Sequence, residues 1–239
     1  MFKFIHVKKK EKHWRNNDNV VLGVSLHNPN LTGDRFLKVI DWVNEQPNFK
    51  RCYIDFADTL NRHNYMLIDG IDESAAYDKA HKFGKKWLQT NQKHLDTLNI
   101  PYQILHWDRW LKNPMFFERF QKLKDVYQSY KPFKKAVDSS IQEFFNRRGV
   151  NASHILPKEY FHSVNFILEE IAVDTVIYDS MKAAYVYPAK EMDAYKMIRA
   201  NKVPQLFFGL SNSYYVRLLA TQYIKQEGDK LTSAEKKVA

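Results

Sequence analysis

Cysteine is almost absent from the 239-residue sequence, which contains Cys52 alone. A single cysteine excludes an internal disulfide and a zinc site built from cysteine thiolates, and the nine histidines show no spacing typical of metal ligands. The sequence therefore predicts neither a metal centre nor metal-dependent chemistry.

Long apolar runs are also missing. No stretch of about 18 uncharged apolar residues occurs, and the N-terminal sequence MFKFIHVKKKEKHWR lacks the apolar segment of a signal peptide. We therefore expect a cytoplasmic protein without membrane-spanning segments.

Acidic residues are outnumbered by basic ones. Lys and Arg total 37 against 27 for Asp and Glu, which gives a formal net charge of +10 at pH 7. Such a charge favours a polyanionic partner, either nucleic acid or an anionic membrane surface.

Strand and helix patterns alternate along the chain. Runs typical of strands occupy residues 20–25, 51–56, 101–105, 173–178 and 183–187. Helical patterns lie between most of them, which predicts an α/β fold: a Rossmann-like, mostly parallel sheet with helices on both faces. The first run, VVLGV, does not alternate and is typical of a central strand. We expect one domain over residues 1–239, with a basic N-terminal segment at 1–19 and a flexible tail at 227–239.

The helical pattern over residues 74–98 is the most informative one. Four lysines on it fall within about 60° of one another, away from its apolar side: Lys79, Lys82, Lys86 and Lys93. No acidic residue interrupts this stripe, so it is suited to contact RNA phosphates. The alternative is an ordinary solvated face.

Ser25 lies where the first strand run ends, before the polar loop LHNPN. The carboxyl end of a buried strand is a common place for chemistry, but a serine becomes a nucleophile only when a neighbouring group takes its proton. The sequence has no G-x-S-x-G motif and so does not support an ordinary α/β-hydrolase. The alternative is a structural serine bonded to backbone.

Five short patterns occur together in a fixed order. They are GVSxxN at 23–28, the lysine-rich AxxKAxKxGKK at 76–86, ILHWD at 104–108, FILEEI at 166–171 and YP at 187–188. This series, over about residues 20–188, resembles the cyclodipeptide synthases.

The resemblance implies a fold similar to the catalytic domain of class I aminoacyl-tRNA synthetases, two aminoacyl-tRNAs as substrates, no cofactor and no obligate protein partner. Ser25 would accept the first aminoacyl group as an ester, a dipeptidyl-enzyme would form with the second aminoacyl-tRNA, and a cyclic dipeptide would be released. Aminoacyl-tRNA is already an activated ester. The absence of a P-loop, a G-x-G-x-x-G motif and an HxGH-like adenylation signature agrees with this chemistry.

The resemblance also assigns residues. Gly23 would line the pocket beside Ser25, Glu170 would hold the substrate ammonium group with Glu169 as its rival, and Tyr187 would transfer protons. The basic helix that receives tRNA would contribute five lysines: Lys79, Lys82, Lys85, Lys86 and Lys93. The wall of the first aminoacyl pocket would include Val21, Val173 and Tyr185, which suggests a moderately apolar first residue.

Two positions depart from the family pattern. Phe166 stands where the family usually has a tyrosine, four residues before Glu170, so a hydroxyl that could help hold the amine is missing. The chain also combines Asn28, a mark of one branch, with Tyr187-Pro188, the mark of the other, and we assign it to the Tyr-Pro branch.

Two other classes of function remain open. In a non-catalytic tRNA-binding module, the lysines would bind RNA while Ser25 is structural. A synthetase-like nucleotidyltransferase would instead form adenylates from ATP. Neither explains Ser25, Glu170 and Tyr187 together.

Overall fold

The computed structural model describes residues 2–6, 12–151, 155–203, 206 and 214–222. Its strands are β1 (Phe2–His6), β2 (Asn19–Val24), β3 (Arg51–Phe56), β4 (Tyr102–His106), β5 (Ala184–Tyr187) and β6 (Tyr214–Gln222). Its α-helices are α1 (Gly33–Asn44), α2 (Arg62–Asp69), α3 (Glu73–Leu95), α4 (Trp107–Leu111), α5 (Pro114–Ser129), α6 (Lys131–Arg148), α7 (Pro157–Met181) and α8 (Asp193–Arg199). Short 3-10 turns occupy Lys12–Asn16, Pro29–Leu31 and Thr59–Asn61.

The strands form one sheet in the order β1-β6-β5-β2-β3-β4. Five of them, from β6 to β4, are parallel, and β1 is antiparallel to β6 at the edge. The predicted α/β, Rossmann-like parallel sheet is confirmed. Because the chain builds outward from β2 in both directions, the strand order reverses between β2 and β5, where such folds bind their ligands.

Strand β2 occupies the centre of the sheet because both of its faces are apolar. From Val20 to Val24 every residue is buried, as the non-alternating sequence predicts. Even-numbered side chains such as Leu22 pack in a core with α1 and α3, whereas Val21 packs in a core with α4 to α8. Helices therefore cover both faces, as predicted.

The strand predicted at 173–178 is wrong. These residues continue α7, a helix of 25 residues that begins at Pro157 and buries most of its length. A helix that is apolar nearly all round carries no helical period, so a short apolar part of it is indistinguishable from a buried strand.

Two strands were not predicted from the sequence. Strand β1 lies within the basic N-terminal segment, and β6 extends the parallel sheet beside β5. The tail predicted at 227–239 lies outside the described residues. Within the described ranges, no helix is both long enough and apolar enough to cross a bilayer.

Candidate active site

The carboxyl ends of β2 and β5 bring two hydroxyl groups together. Ser25 directly follows β2 and Tyr187 ends β5, and the two strands are adjacent and parallel. The side chains of Ser25 and Asn28 lie close enough to the phenol of Tyr187 to lower its pKa. The proposed nucleophile and the proposed proton carrier are thus direct neighbours.

Tyr187 keeps its proton at neutral pH. Burial raises the pKa of its phenol to about 12, and the nearby carboxyl of Glu170 adds to this effect, which the hydrogen bonds to Asn28 and Ser25 only partly offset. A phenol with this pKa is suited to donate or relay a proton and unsuited to act as a standing base.

Backbone and amide contacts fix the loop that carries Ser25. The Asn28 amide N–H donates to Ser25 O at 3.1 Å, and Asn28 Oδ1 accepts from Asn30 N at 2.9 Å. Asn30 Nδ2 then donates to Pro188 O at 3.3 Å. The loops that follow β2 and β5 are therefore joined, which holds Ser25 against Tyr187.

Gly23 lies one layer below Ser25 on the same face of the sheet, since side chains alternate along a strand. A Cβ at Gly23 would stand 2.5 Å from the Tyr185 hydroxyl, closer than real contacts allow. Tyr185 donates from that hydroxyl to Asp55 Oδ2 at 3.1 Å, and Asp55 is the residue of β3 paired with Gly23. Val21 is fully buried below this layer.

The two adjacent glutamates of α7 have different surroundings. Glu169 is buried and accepts hydrogen bonds from Arg62 at 2.8 and 2.6 Å and from Trp107 Nε1 at 2.8 Å, while His63 Nε2 lies 3.0 Å away. Burial alone would raise its pKa, but the bonds from His63 and Arg62 outweigh burial and hold the pKa at about 2. The carboxylate of Glu169 is fully engaged inside the protein.

Glu170 lies on a different side of α7, where its charge acts on Tyr187. Burial raises its pKa well above the usual range, and the carboxyl groups of Asp174 and Asp55 add to the shift. Phe166 and Asp174 lie one helical turn before and after Glu170 on the same side of α7. Val173 is buried on this helix, so the predicted pocket residue is present but comes from α7 and not from a strand.

The lysines of α3 lie on its outer surface. All five predicted residues are exposed: Lys79, Lys82, Lys85, Lys86 and Lys93. Lys79 pairs with Asp69 at 2.8 Å and lies 4.6 Å from the centre of the Tyr65 ring. Within the described part of the chain, the other four have no acidic group at ion-pair distance, so their charge faces solvent.

An aromatic contact joins this helix to the serine loop. The His27 ring stacks on Phe83 of α3 with centres 5.0 Å apart, and Tyr65 approaches it edge-on at 6.1 Å. Arg147 and Arg148, at the end of α6, add positive charge that acts on Tyr187 and His27 respectively. Sequence reasoning missed these two arginines, although their position in the last turn of a predicted helix was visible.

A buried acidic group of α7 gives one test of this arrangement. Burial raises the pKa of Asp174 to about 7, although its carboxyl accepts a bond from Tyr195 at 2.6 Å. Because this folded-state pKa exceeds the unfolded one, the carboxyl costs stability as the pH rises toward 7 and above.

We expect Asp174→Asn to stabilise the protein more at pH 8 than at pH 5, because asparagine still accepts from Tyr195 and carries no charge. At about 1.4 kcal/mol per pKa unit, the stabilisation at pH 8 should exceed the stabilisation at pH 5 by about 2 kcal/mol. This corresponds to about 4 to 8 °C in melting temperature. Thermal melts at both pH values measure it, with the exposed Asp41→Asn as the control. An equal shift at both pH values would contradict the assignment.

Among the described residues, no group of three or more His, Cys, Asp or Glu side chains is arranged to hold a metal ion. The site instead combines a serine, a protonated phenol and a carboxyl group beside a basic helix. A serine with a neighbouring proton carrier is suited to acyl transfer.

A model of the cyclodipeptide synthase family matches residues 7–188, about three quarters of the chain. The chain belongs to the cyclodipeptide synthase family. None of the curated proteins matches this synthase.

Solved structures agree with the family. A cyclodipeptide synthase from Fluoribacter dumoffii is 21% identical and has a TM-score of 0.77, with 93% of this chain and 100% of that chain covered. One from Candidatus Glomeribacter gigasporarum, bound to Phe-tRNAPhe, is 20% identical with a TM-score of 0.63 and coverage of 92% and 93%. A Mycobacterium tuberculosis structure, described as demonstrating that these enzymes are related to type I tRNA synthetases, has 15% identity, a TM-score of 0.66 and coverage of 91% and 92%. These likenesses establish the fold of the synthase.

Proposed function

We propose that this synthase joins two amino acids delivered as esters of tRNA into a cyclic dipeptide, with Ser25 as their carrier. The contact between the hydroxyl groups of Ser25 and Tyr187, at the point where the strand order reverses, supports this proposal most directly. The structure from Candidatus Glomeribacter gigasporarum, which is bound to Phe-tRNAPhe, supports aminoacyl-tRNA as the substrate class.

In the first step Ser25 Oγ attacks the carbonyl carbon of an aminoacyl-tRNA. A new ester bond forms to Ser25, the bond from that carbon to the tRNA ribose oxygen breaks, and the serine proton passes to the released ribose oxygen. Tyr187, which lies next to Ser25 and is still protonated, is placed to relay that proton. One ester replaces another, so the step needs no ATP.

Two further steps complete the reaction. The amine of the serine-bound residue attacks the ester of a second aminoacyl-tRNA, which forms a peptide bond, releases the second tRNA and leaves a dipeptidyl ester on Ser25. The free amine of that dipeptide then attacks the Ser25 ester, closes the six-membered ring and returns the proton to the serine oxygen.

Glu170 has the environment that an amine partner requires. As a carboxylate it would bind the ammonium group by a charge-assisted hydrogen bond. The amine must lose a proton before it attacks, and a carboxyl whose pKa is raised by burial and by Asp174 accepts that proton more readily than an ordinary glutamate would.

The Tyr187-Pro188 pair supports the assignment of the synthase to the Tyr-Pro branch of the family. Pro188 accepts from Asn30 through its carbonyl, and Asn28 bonds to Tyr187, so both branch-marking features meet at one point. We further propose a cytoplasmic location, because charged tRNA is the substrate.

Expression in bacteria followed by mass spectrometry of the culture medium tests the function. A cyclic dipeptide that appears only with the active gene supports the proposed function and identifies the two amino acids that are joined. A purified protein that forms aminoacyl-adenylate from ATP, or that binds tRNA without ever becoming acylated, would replace it with one of the two rival functions.

Replacement of Lys82 and Lys86 by alanine should weaken the use of tRNA without unfolding the protein, since both side chains are exposed. We expect acyl-enzyme formation to fall by about 10-fold at low salt and the slope of its salt dependence to decrease by about one to two. Stopped reactions at several salt concentrations measure this. The control is the double variant Lys38→Ala, Lys122→Ala, whose lysines lie elsewhere on the surface. Equal salt slopes for all three proteins would exclude the basic helix as the tRNA contact.

A further inference from the structure

A cluster of buried carboxyl groups lies below the serine, on the same side of the sheet. Asp55 is paired with Gly23 on the neighbouring strand and is 1% exposed, and Asp174 is 6% exposed on α7, one turn beyond Glu170. The two aspartates repel the ionised form of Glu170, since each of them raises the pKa of Glu170. Sequence reasoning predicted an apolar pocket at this place.

Two acceptor atoms of the cluster are unsatisfied. Asp55 Oδ2 accepts from Tyr185 and Asp174 Oδ2 accepts from Tyr195, but Oδ1 of each aspartate has no hydrogen-bond partner among the described residues. Trp110 lies close enough to lower the pKa of Asp55, yet its buried indole N–H is also without a partner. A buried polar atom without a partner costs about 1 to 3 kcal/mol, so the two aspartate oxygens point to an outside donor that completes them.

The positive charge near the cluster is smaller than its negative charge. Arg199 is the cation that acts on Asp174, its guanidinium also lies 2.7 Å from Glu191, and its Nε and Nη1 atoms have no hydrogen-bond partner in the part of the chain that the structure describes. Among the described residues, no Lys, Arg or His nitrogen lies within ion-pair distance of Asp55, Asp174 or Glu170. The cluster would gain most from a ligand that brings positive charge.

We propose that the first amino acid loaded onto Ser25 has a cationic side chain, of the lysine or arginine type, which passes Gly23 and pairs with Asp55 and Asp174. This inference rests on the proposed function and names its first substrate. The α-ammonium group binds Glu170. Asp174 lies four residues further along the helix, about 6 Å away, a distance that an extended lysine or arginine side chain spans between its two cations.

The missing side chain at Gly23 leaves room for the Tyr185 ring in this layer. Any Cβ there would meet the Tyr185 hydroxyl, which holds Asp55 in place. A long substrate side chain that runs down from Ser25 must pass this layer before it reaches the carboxyl groups. The substrate side chain therefore passes Gly23 and Tyr185 before it reaches the two aspartates. These aspartates favour a positive charge at the end of that side chain.

Purified full-length enzyme incubated with single, radiolabelled aminoacyl-tRNAs tests the proposal. We expect labelled acyl-enzyme from lysyl- or arginyl-tRNA and about 10-fold or more less from leucyl-, phenylalanyl- or glutaminyl-tRNA, as expected for a buried charged hydrogen bond. Label from an apolar or neutral aminoacyl-tRNA, with none from the two cationic ones, overturns the substrate class and leaves the synthase function intact. No label from any aminoacyl-tRNA instead contradicts the function itself.

Matched variants separate binding from folding. Asp55→Asn and Asp174→Asn should each lower labelling by the cationic substrates about 10-fold or more, with no fall in melting temperature, whereas Asp41→Asn on the outer surface should change nothing. Labelling by cationic substrates that is unaffected in both folded variants would overturn the pairing. If Asp55→Asn fails to fold, Asp174→Asn, which we expect to be more stable at pH 8, decides the question.

Discussion

Ser25→Ala is expected to abolish both the covalent aminoacyl-enzyme and the cyclic dipeptide, with product falling by a factor of about 1,000 or more. Alanine removes the hydroxyl that we propose as the acyl carrier while keeping the β2 loop, because that loop is held by backbone bonds from Asn28 and by the contact of Asn30 with Pro188. Acid-quenched reactions with labelled aminoacyl-tRNA, followed by mass spectrometry of the intact protein, measure the acyl-enzyme directly.

The matched control is Ser129→Ala, an exposed serine at the end of α5 whose hydroxyl donates only to the backbone of its own helix. It should retain full activity. Both variants should melt within about 1 °C of the parent, since neither change touches the core. A labelled aminoacyl-enzyme that persists in Ser25→Ala would exclude Ser25 as the carrier, even if product formation is lost.

The meeting of Ser25 and Tyr187 could be predicted from the sequence because parallel strands bring their carboxyl ends to one edge. Recognition of VVLGV as a central strand and of 183–187 as another strand was enough to place both hydroxyl groups there. The basic helix was predicted equally well, since the helical period assigns lysines and apolar residues to opposite faces over more than six turns.

The cluster of buried carboxyl groups below Ser25 could not be predicted. Asp55 lies within the strand RCYIDF and Asp174 within the run AVDTVIY, and each is the single acidic residue of its run. A local pattern does not show that two such residues, 119 positions apart, face each other across a sheet and a helix. The misassigned strand at 173–178 also hid the helical spacing that joins Asp174 to Glu170.

The choice between Glu169 and Glu170 depended on tertiary contacts as well. Adjacent residues of a helix point about 100° apart, so one of the pair had to face the site and the other a different neighbour. The sequence does not show which. Arg62 and His63 come from α2 and Trp107 from α4, and only folding brings these two segments to Glu169.

This difference predicts opposite phenotypes for the substitutions of Glu169 and of Glu170 by glutamine. Glu169→Gln leaves the buried Arg62 guanidinium without its carboxylate and should destabilise the protein by about 3 kcal/mol or more, a fall of about 6 to 12 °C in melting temperature. Glu170→Gln removes a buried carboxyl whose pKa is raised, so the fold should be at least as stable at neutral pH. Its acyl-enzyme and product should nevertheless fall by about 100-fold, because an amide neither binds ammonium as a charge nor accepts its proton.

Melting curves and product yields of the two variants, measured side by side, distinguish the roles. Each variant is the other's control, since both change one carboxylate to the isosteric amide on the same helix. A stable, inactive Glu169→Gln together with a fully active Glu170→Gln would reverse the assignment. Loss of stability in both would mean that Glu170, like Glu169, serves the core, and the amine would then need another partner at the edge of the sheet.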